Sequence, residues 1–163
     1  MNKLNEKELL EIIDKGECHT TEFKKSTTEI TRDVYESICA FSNRDGGHVF
    51  LGVKDNGEIL GIEPNYIEKL KKDFVTAINN ANKMYPPLFL TPVEYELQGR
   101  KILHIYVPVG TQVSRCSGRI YDRNNESTDF ELPEEAKNAK EVDASSIAAG
   151  GAGDVNTDSK IED

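Results

Sequence analysis

The sequence of 163 residues predicts a single α/β (α+β) domain in which about three helices pack on a mixed, largely antiparallel sheet. Three segments carry apolar residues at helical spacing, and short apolar runs between them are typical of strands. Turn signals at Asn56-Gly57 and Gln98-Gly99 favour antiparallel pairing. We expect the domain to occupy residues 4–130. Residues 131–163 are small, polar and acidic, which predicts a flexible tail or linker.

The predicted helices begin and end at recognisable signals. Asn5 can cap the first helix, and Gly16 can end it. The second ends at the polar and glycine run from Asn43 to Gly47, and the third is broken by the two prolines after Tyr85. Helices are therefore expected at 5–15, 28–43 and 65–84.

Strands are predicted where β-branched and aromatic residues cluster between turn residues. Residues 48–53 form an apolar run, which indicates a buried strand, whereas the two arms around Gln98-Gly99 alternate, which predicts a sheet with one wet face. The expected strands are 20–24, 48–53, 58–62, 93–97 and 101–107, with a last short pair around Ser117-Gly118 that ends at 120–123.

The charge distribution restricts the function. The net charge is -9, and residues 131–163 hold nine acidic and three basic side chains, so most of the negative charge lies outside the predicted domain. A nucleic-acid surface must therefore be a local basic face, because affinity for phosphate comes from placed Lys and Arg. A protein-interaction module without nucleic acid is an alternative that the acidic charge keeps open.

Other sequence features argue against several classes of protein. No stretch approaches the ~20 apolar residues that a membrane helix needs, and no apolar signal core follows Met1, so we expect a cytoplasmic protein without a membrane partner. The three cysteines lack a Cys-x-x-Cys pair, which argues against a disulfide framework and a structural zinc site. The sequence leaves open whether the protein forms a homo-oligomer.

Three segments stand out together. The first is Gly-Glu-Cys-His-Thr-Thr-Glu-Phe-Lys-Lys at 16–25, the second contains Ala-Phe-Ser-Asn-Arg-Asp-Gly-Gly and Leu-Gly-Val within 40–61, and the third is Gly-Arg-Ile-Tyr-Asp-Arg at 118–123. In this order and at these separations they resemble the Schlafen/AlbA-like (Schlafen AlbA_2) domain family. The resemblance covers roughly residues 4–130. It implies a nucleic-acid-binding domain, acting on DNA or RNA, of a transcriptional-regulator-like protein.

Basic and aromatic residues within these segments are the predicted nucleic-acid contacts. Arg119, Tyr121 and Arg123 share one face of a strand, and an aromatic ring between two arginines suits phosphate contact plus base stacking. The competing interpretation is that these are ordinary solvent-exposed side chains of a strand. The full set is Lys24, Lys25, Arg44, Lys54, Arg119, Tyr121 and Arg123.

A structural motif is predicted at the end of the second helix. Asn43 can cap the chain there, and Gly46 and Gly47 supply backbone positions that larger residues resist, with Gly52 after the next strand. A backbone nest for phosphate is the alternative. No Lys-Ser or Lys-Thr follows the glycines, so a nucleotide-binding P-loop is excluded.

The resemblance also raises a catalytic alternative. In Schlafen relatives that cut RNA it implies three clustered carboxylates, which here correspond to Glu17, Glu22 and, one position late, Asp55. A one-residue shift on a strand turns the side chain to the other face, and the expected position holds Lys54. We therefore predict a non-catalytic domain without a cofactor. The alternative is an endoribonuclease for structured RNA that uses Mg²⁺ or Mn²⁺.

Overall fold

The structure, a computed structural model, describes residues 3–124 and 129–133. Its helices are α1 (Glu6–Lys15), α2 (Arg32–Asn43) and α3 (Ile67–Ile78), the last preceded by a 3-10 turn at Pro64–Tyr66. Its strands are β1 (Thr21–Lys24), β2 (Gly47–Leu51), β3 (Met84–Tyr85), β4 (Val93–Leu97), β5 (Arg100–Val107), β6 (Arg115–Cys116), β7 (Tyr121–Arg123) and β8 (Asp129–Glu131).

The main sheet has four strands in the order β1-β2-β5-β4. β1 runs parallel to β2, with Phe23 opposite Phe50, while β5 is antiparallel to both β2 and β4. Two small antiparallel pairs, β3 with β6 and β7 with β8, complete the described strands. The predicted fold class, a mixed and largely antiparallel sheet packed by three helices, is thus confirmed.

Local chemistry explains where the first two helices begin. The Asn5 side chain accepts a hydrogen bond from the Glu8 N–H at 2.8 Å, so Asn5 caps α1 as the sequence predicts. The Glu8 carboxylate accepts in turn from the Asn5 N–H at 2.9 Å, which completes a capping box. α2 begins at Arg32 rather than near residue 28, because Thr31 is extended. Ile30 instead packs against the core.

Two other predicted elements are shorter than expected. α3 ends at Ile78, because the Asn80 side chain accepts from the Asn82 N–H at 2.9 Å in a turn and Met84 then joins β3. Residues 58–62 form no strand. They contribute one bridge, Ile59 with Val53, and then turn back towards the Gly52 carbonyl.

The sheet separates two apolar clusters. α2 and α3 cover one face, where Val49, Leu51 and Leu103 are buried, and α1 covers the other through Leu9 and Ile13. Since α1 is only ten residues long, it covers the end of its face that carries Phe23 and Phe50. The other end of that face carries the rings of His48, His104 and Tyr106.

Ordered pairing extends slightly past the predicted domain end at residue 130. β8 pairs with β7 up to Glu131, and the Leu132 N–H donates to the Ile120 carbonyl at 2.9 Å. The rest of the predicted acidic tail, 134–163, lies outside the described residues. No helix within 3–124 or 129–133 is long and apolar enough to cross a membrane.

Candidate nucleic-acid interface

The side chain of Arg123 on β7 is buried and contacts both β1 and β8. Its guanidinium donates to the Glu22 carboxylate at 2.9 Å, to the Asp129 carboxylate at 2.8 Å, and to the Cys18 and His19 carbonyls at 3.0 Å each. The side chain has 0% exposed surface. The predicted phosphate contact at Arg123 is therefore corrected, because an arginine enclosed by four acceptors presents no N–H group to a ligand. It fastens β7 to β1 and to the loop before β1.

Arg123 also covers the ring of a core residue. Its guanidinium carbon lies 4.6 Å from the centroid of the Phe41 ring on α2. A cation over an aromatic face is favourable when it is removed from water. Contacts with two carboxylates, two carbonyls and one aromatic ring thus take the place of the water that the guanidinium loses on burial.

Glu22 lies between two cations. Besides Arg123, the Lys24 ammonium is 3.5 Å from its carboxylate. Burial raises the pKa of Glu22 to about 7, and the neighbouring Glu17 adds to the rise, while Lys24 and Arg123 oppose it. The site thus holds a carboxyl group whose proton exchanges near neutral pH.

Lys24 is engaged as well. Its ammonium donates to Asp33 at the start of α2, at 2.8 Å, so it ties β1 to that helix. Burial alone would lower the pKa of Lys24, but the hydrogen bond to Asp33 and the charge of Glu22 raise it. Asp33 and Asp129 are thus members of the cluster that sequence analysis missed, because only the folded chain brings them to β1.

The three predicted carboxylates have different surroundings. Glu17 accepts a hydrogen bond from the Phe23 N–H at 2.8 Å, so it fixes the start of β1. Asp55 lies exposed in the turn that follows β2, and the Lys54 beside it pairs with Glu58 at 3.3 Å. Among the described residues, no group of three or more His, Cys, Asp or Glu side chains is placed to hold a metal ion.

The remaining predicted contacts differ in how far they reach solvent. Lys25 is exposed, and within the described residues no ion pair involves it. Arg119 is 55% exposed and lies 3.3 Å from Glu131. Arg44 is half-exposed and holds the buried Asp122 through two N–H groups. The Tyr121 hydroxyl donates to Glu36 at 3.3 Å, and its ring packs against the core.

The Asn-Gly-Gly motif has a structural explanation. The Asn43 amide donates to the Ser114 and Tyr121 carbonyls, at 2.9 Å each, and its oxygen accepts from the Ser114 N–H at 2.7 Å. Asn43 therefore holds the β6–β7 region against the end of α2. A Cβ at Gly47 would lie 2.7 Å from the Thr20 carbonyl oxygen, so β1 and β2 pair where only glycine fits.

Gly46 and Gly52 also have backbone reasons to be glycine. Gly46 has φ +74°, and a Cβ there would lie 2.6 Å from the Val107 carbonyl oxygen. Gly52 has φ +98° and accepts hydrogen bonds from the returning residues Leu60 and Gly61. These four motif residues thus shape the chain around the site.

The comparisons with known proteins identify the family. A family model described as Schlafen, AlbA_2 matches residues 17–130, which is more than half of the chain. The chain belongs to the Schlafen AlbA_2 family. No curated protein sequence matches this AlbA_2 chain.

Two solved structures are similar to the AlbA_2 chain. A crystal structure of a protein from Corynebacterium diphtheriae has a TM-score of 0.52 and 17% identity, and the match covers 70% of this chain and 25% of that one. The solution structure of the N-terminal domain of a RecG-related protein from Nitrosomonas europaea has a TM-score of 0.49 and 24% identity, with coverage of 63% and 71%. The first likeness shows the fold alone. The AlbA_2 chain spans about a quarter of that Corynebacterium protein.

Proposed function

We propose that this chain is a non-catalytic nucleic-acid-binding domain of a transcriptional-regulator-like protein. Its membership of the AlbA_2 family over residues 17–130 supports a nucleic-acid-related role. The observation that supports the non-catalytic part is the buried Arg123, whose guanidinium lies between the Glu22 and Asp129 carboxylates.

Arg123 opposes metal binding in two ways. A metal ion at Glu22 would have to compete with a guanidinium at 2.9 Å and an ammonium at 3.5 Å. Displacing Arg123 would also leave a charged group buried without partners, which costs several kcal/mol. Asp55, in an exposed turn, does not complete a cluster with Glu17 and Glu22.

The cations proposed to contact phosphate are Lys25, Arg44 and Arg119. Lys25 and Arg119 are exposed, and the ion pair of Arg119 is of the surface kind that contributes only about 0–1 kcal/mol, so phosphate can replace it. Arg44 uses two of its N–H groups on Asp122 and keeps others for a second acceptor. Lys24 and Arg123 are not among these contacts, because both are held in ion pairs with carboxylates of the protein.

Binding is tested by fluorescence anisotropy with duplex DNA, a single strand and transfer RNA over a range of salt concentrations. Lys25→Glu and Arg119→Glu should each weaken binding and lower the slope of log affinity against log salt by about one unit. Lys72→Glu, an exposed lysine on α3, is the matched control and should change the slope less. If both variants bind as the wild type does, Lys25 and Arg119 do not contact nucleic acid and this part of the proposal is wrong.

The non-catalytic part is tested separately. Incubation of transfer RNA with the protein and Mn²⁺ should leave the RNA intact. Cleavage that disappears in Glu22→Ala would replace the proposal with the endoribonuclease alternative.

A further inference from the structure

A hollow lies on the α1 side of the main sheet, beyond the end that α1 covers. Its volume is about 350 Å³, and its floor includes Tyr95, His104 and Tyr106 from β4 and β5. The loop with Phe89 and the residue Lys3, which precedes α1, form its sides. A volume in this range is typical of sites that take small organic groups.

The rings at the floor of the hollow, Tyr95, His104 and Tyr106, pack against one another or against His48, which does not itself line the hollow. His48 and His104 stack with centroids 5.2 Å apart, and His48 Nδ1 lies 3.0 Å from His104 Nε2. Tyr106 packs 5.4 Å from His48, and Tyr95 packs edge-on to His104 at 6.2 Å. β2 and β5 hold these rings rigidly, because His48 is opposite Tyr106 in the strand register.

The two histidines add rings without adding charge. Burial lowers the pKa of His104 to about 4, and it lowers the pKa of His48 as well. One N–H then joins the two rings, and both are neutral near pH 7. The floor is therefore aromatic and uncharged.

The rim of the hollow is apolar and locally positive. Phe89 is 88% exposed, the highest value among the described large hydrophobic residues, and no core contact accounts for its ring. The residues that line the hollow include one cation, Lys3, and no acid, although the chain as a whole carries -9. The Lys3 ammonium lies 5.3 Å from the centroid of the Tyr95 ring.

We propose that this hollow takes an unpaired base of a single-stranded nucleic acid, with the ring stacked against Phe89 and Tyr106 and a neighbouring phosphate near Lys3. Stacking on aromatic side chains beside a cation is how proteins hold single strands without reading sequence. A base inside a duplex is already stacked and cannot enter. The inference rests on the proposed function and narrows it to single strands.

The test separates bases from phosphates. Binding of the full chain is measured by anisotropy with a labelled thymidine oligomer and with an abasic oligomer of equal length, which keeps the phosphates and lacks the bases. We expect the thymidine oligomer to bind about tenfold more tightly. Phe89→Ala should remove that difference and leave the melting temperature unchanged, because the side chain is exposed. Tyr66→Ala, an exposed aromatic beside α3, is the matched control and should keep the difference.

The possible outcomes distinguish failure of the stacking site from failure of the proposed function. Equal binding of both oligomers overturns the stacking site and leaves the proposed phosphate contacts standing. If neither oligomer binds at low salt, the inference is wrong, and the proposed function fails as well only if duplex DNA and transfer RNA also do not bind. If Phe89→Ala converts a dimer to a monomer and leaves the preference for bases unchanged, a second copy of the chain occupies the hollow and the inference is wrong.

Discussion

Substitution of Arg123 tests whether it serves the fold or a ligand. Arg123→Ala removes four hydrogen bonds, two of them to carboxylates that remain partly buried. Loss of one partner from a buried ion pair costs about 3–5 kcal/mol. We expect the lower part of this range, because Glu22, whose pKa is already raised to about 7, can take up a proton.

The loss should appear in urea unfolding followed by far-UV circular dichroism, since the chain has no tryptophan. A loss of about 3 kcal/mol corresponds to a drop of about 10 °C in melting temperature for a domain of this size. Arg123→Lys should recover little of it, because one ammonium cannot reproduce the fork of the guanidinium.

Arg119→Ala is the matched control, since it removes an exposed arginine with one carboxylate partner in the same region. Its expected cost is about 0–1 kcal/mol. If Arg123→Ala costs no more than this control, Arg123 is not enclosed in solution and its assignment as a structural residue is wrong.

Three further predictions follow from other contacts. The raised pKa of Glu22 means that the folded state binds its proton more tightly, so its contribution to stability is complete below the ordinary glutamate range and lost as pH rises through about 7. The free energy of unfolding from urea denaturation should therefore fall between pH 5 and pH 8 by roughly 1–3 kcal/mol more in the wild type than in Glu22→Gln, and parallel pH profiles would contradict this. Gly47→Ala should lower the unfolding free energy by about 1–3 kcal/mol, because its Cβ would meet the Thr20 carbonyl, whereas Gly118→Ala has open space and should cost about 1 kcal/mol through its backbone angle alone. Truncation after Pro133 removes eight acidic and three basic side chains, and anisotropy should detect tighter binding of nucleic acid at low salt; weaker binding would show that this segment contributes contacts.

The sequence predicts well the features that depend on neighbouring residues. Asn5 caps α1 through a backbone N–H only three positions later, and the hairpin of β4 and β5 follows from alternation around Gln98-Gly99. The start of α2 was predicted too early, because periodicity extends through Ile30 while the chain there is used to cover the core.

The candidate site is less predictable because its contacts are distant in sequence. Alternation along a strand tells which residues share a face, but it does not tell whether a partner covers that face. Arg123 meets Glu22 across 101 positions, and Asp129 reaches it from a separate strand. The His48 and His104 pair has no motif, because it depends on the register of β2 with β5.

The link between Arg123 and Glu22 has a consequence for the order in which this protein is made. During translation β1 is synthesised early, and Arg123 follows about a hundred residues later. Until then Glu22 lacks its closer cation, and the Cys18 and His19 carbonyls lack the donor that satisfies them. The nascent chain therefore cannot complete this part of the domain stepwise during translation. β7 and β8 complete it, so a chain that ends before Arg123 should be degraded faster by proteases than the full chain.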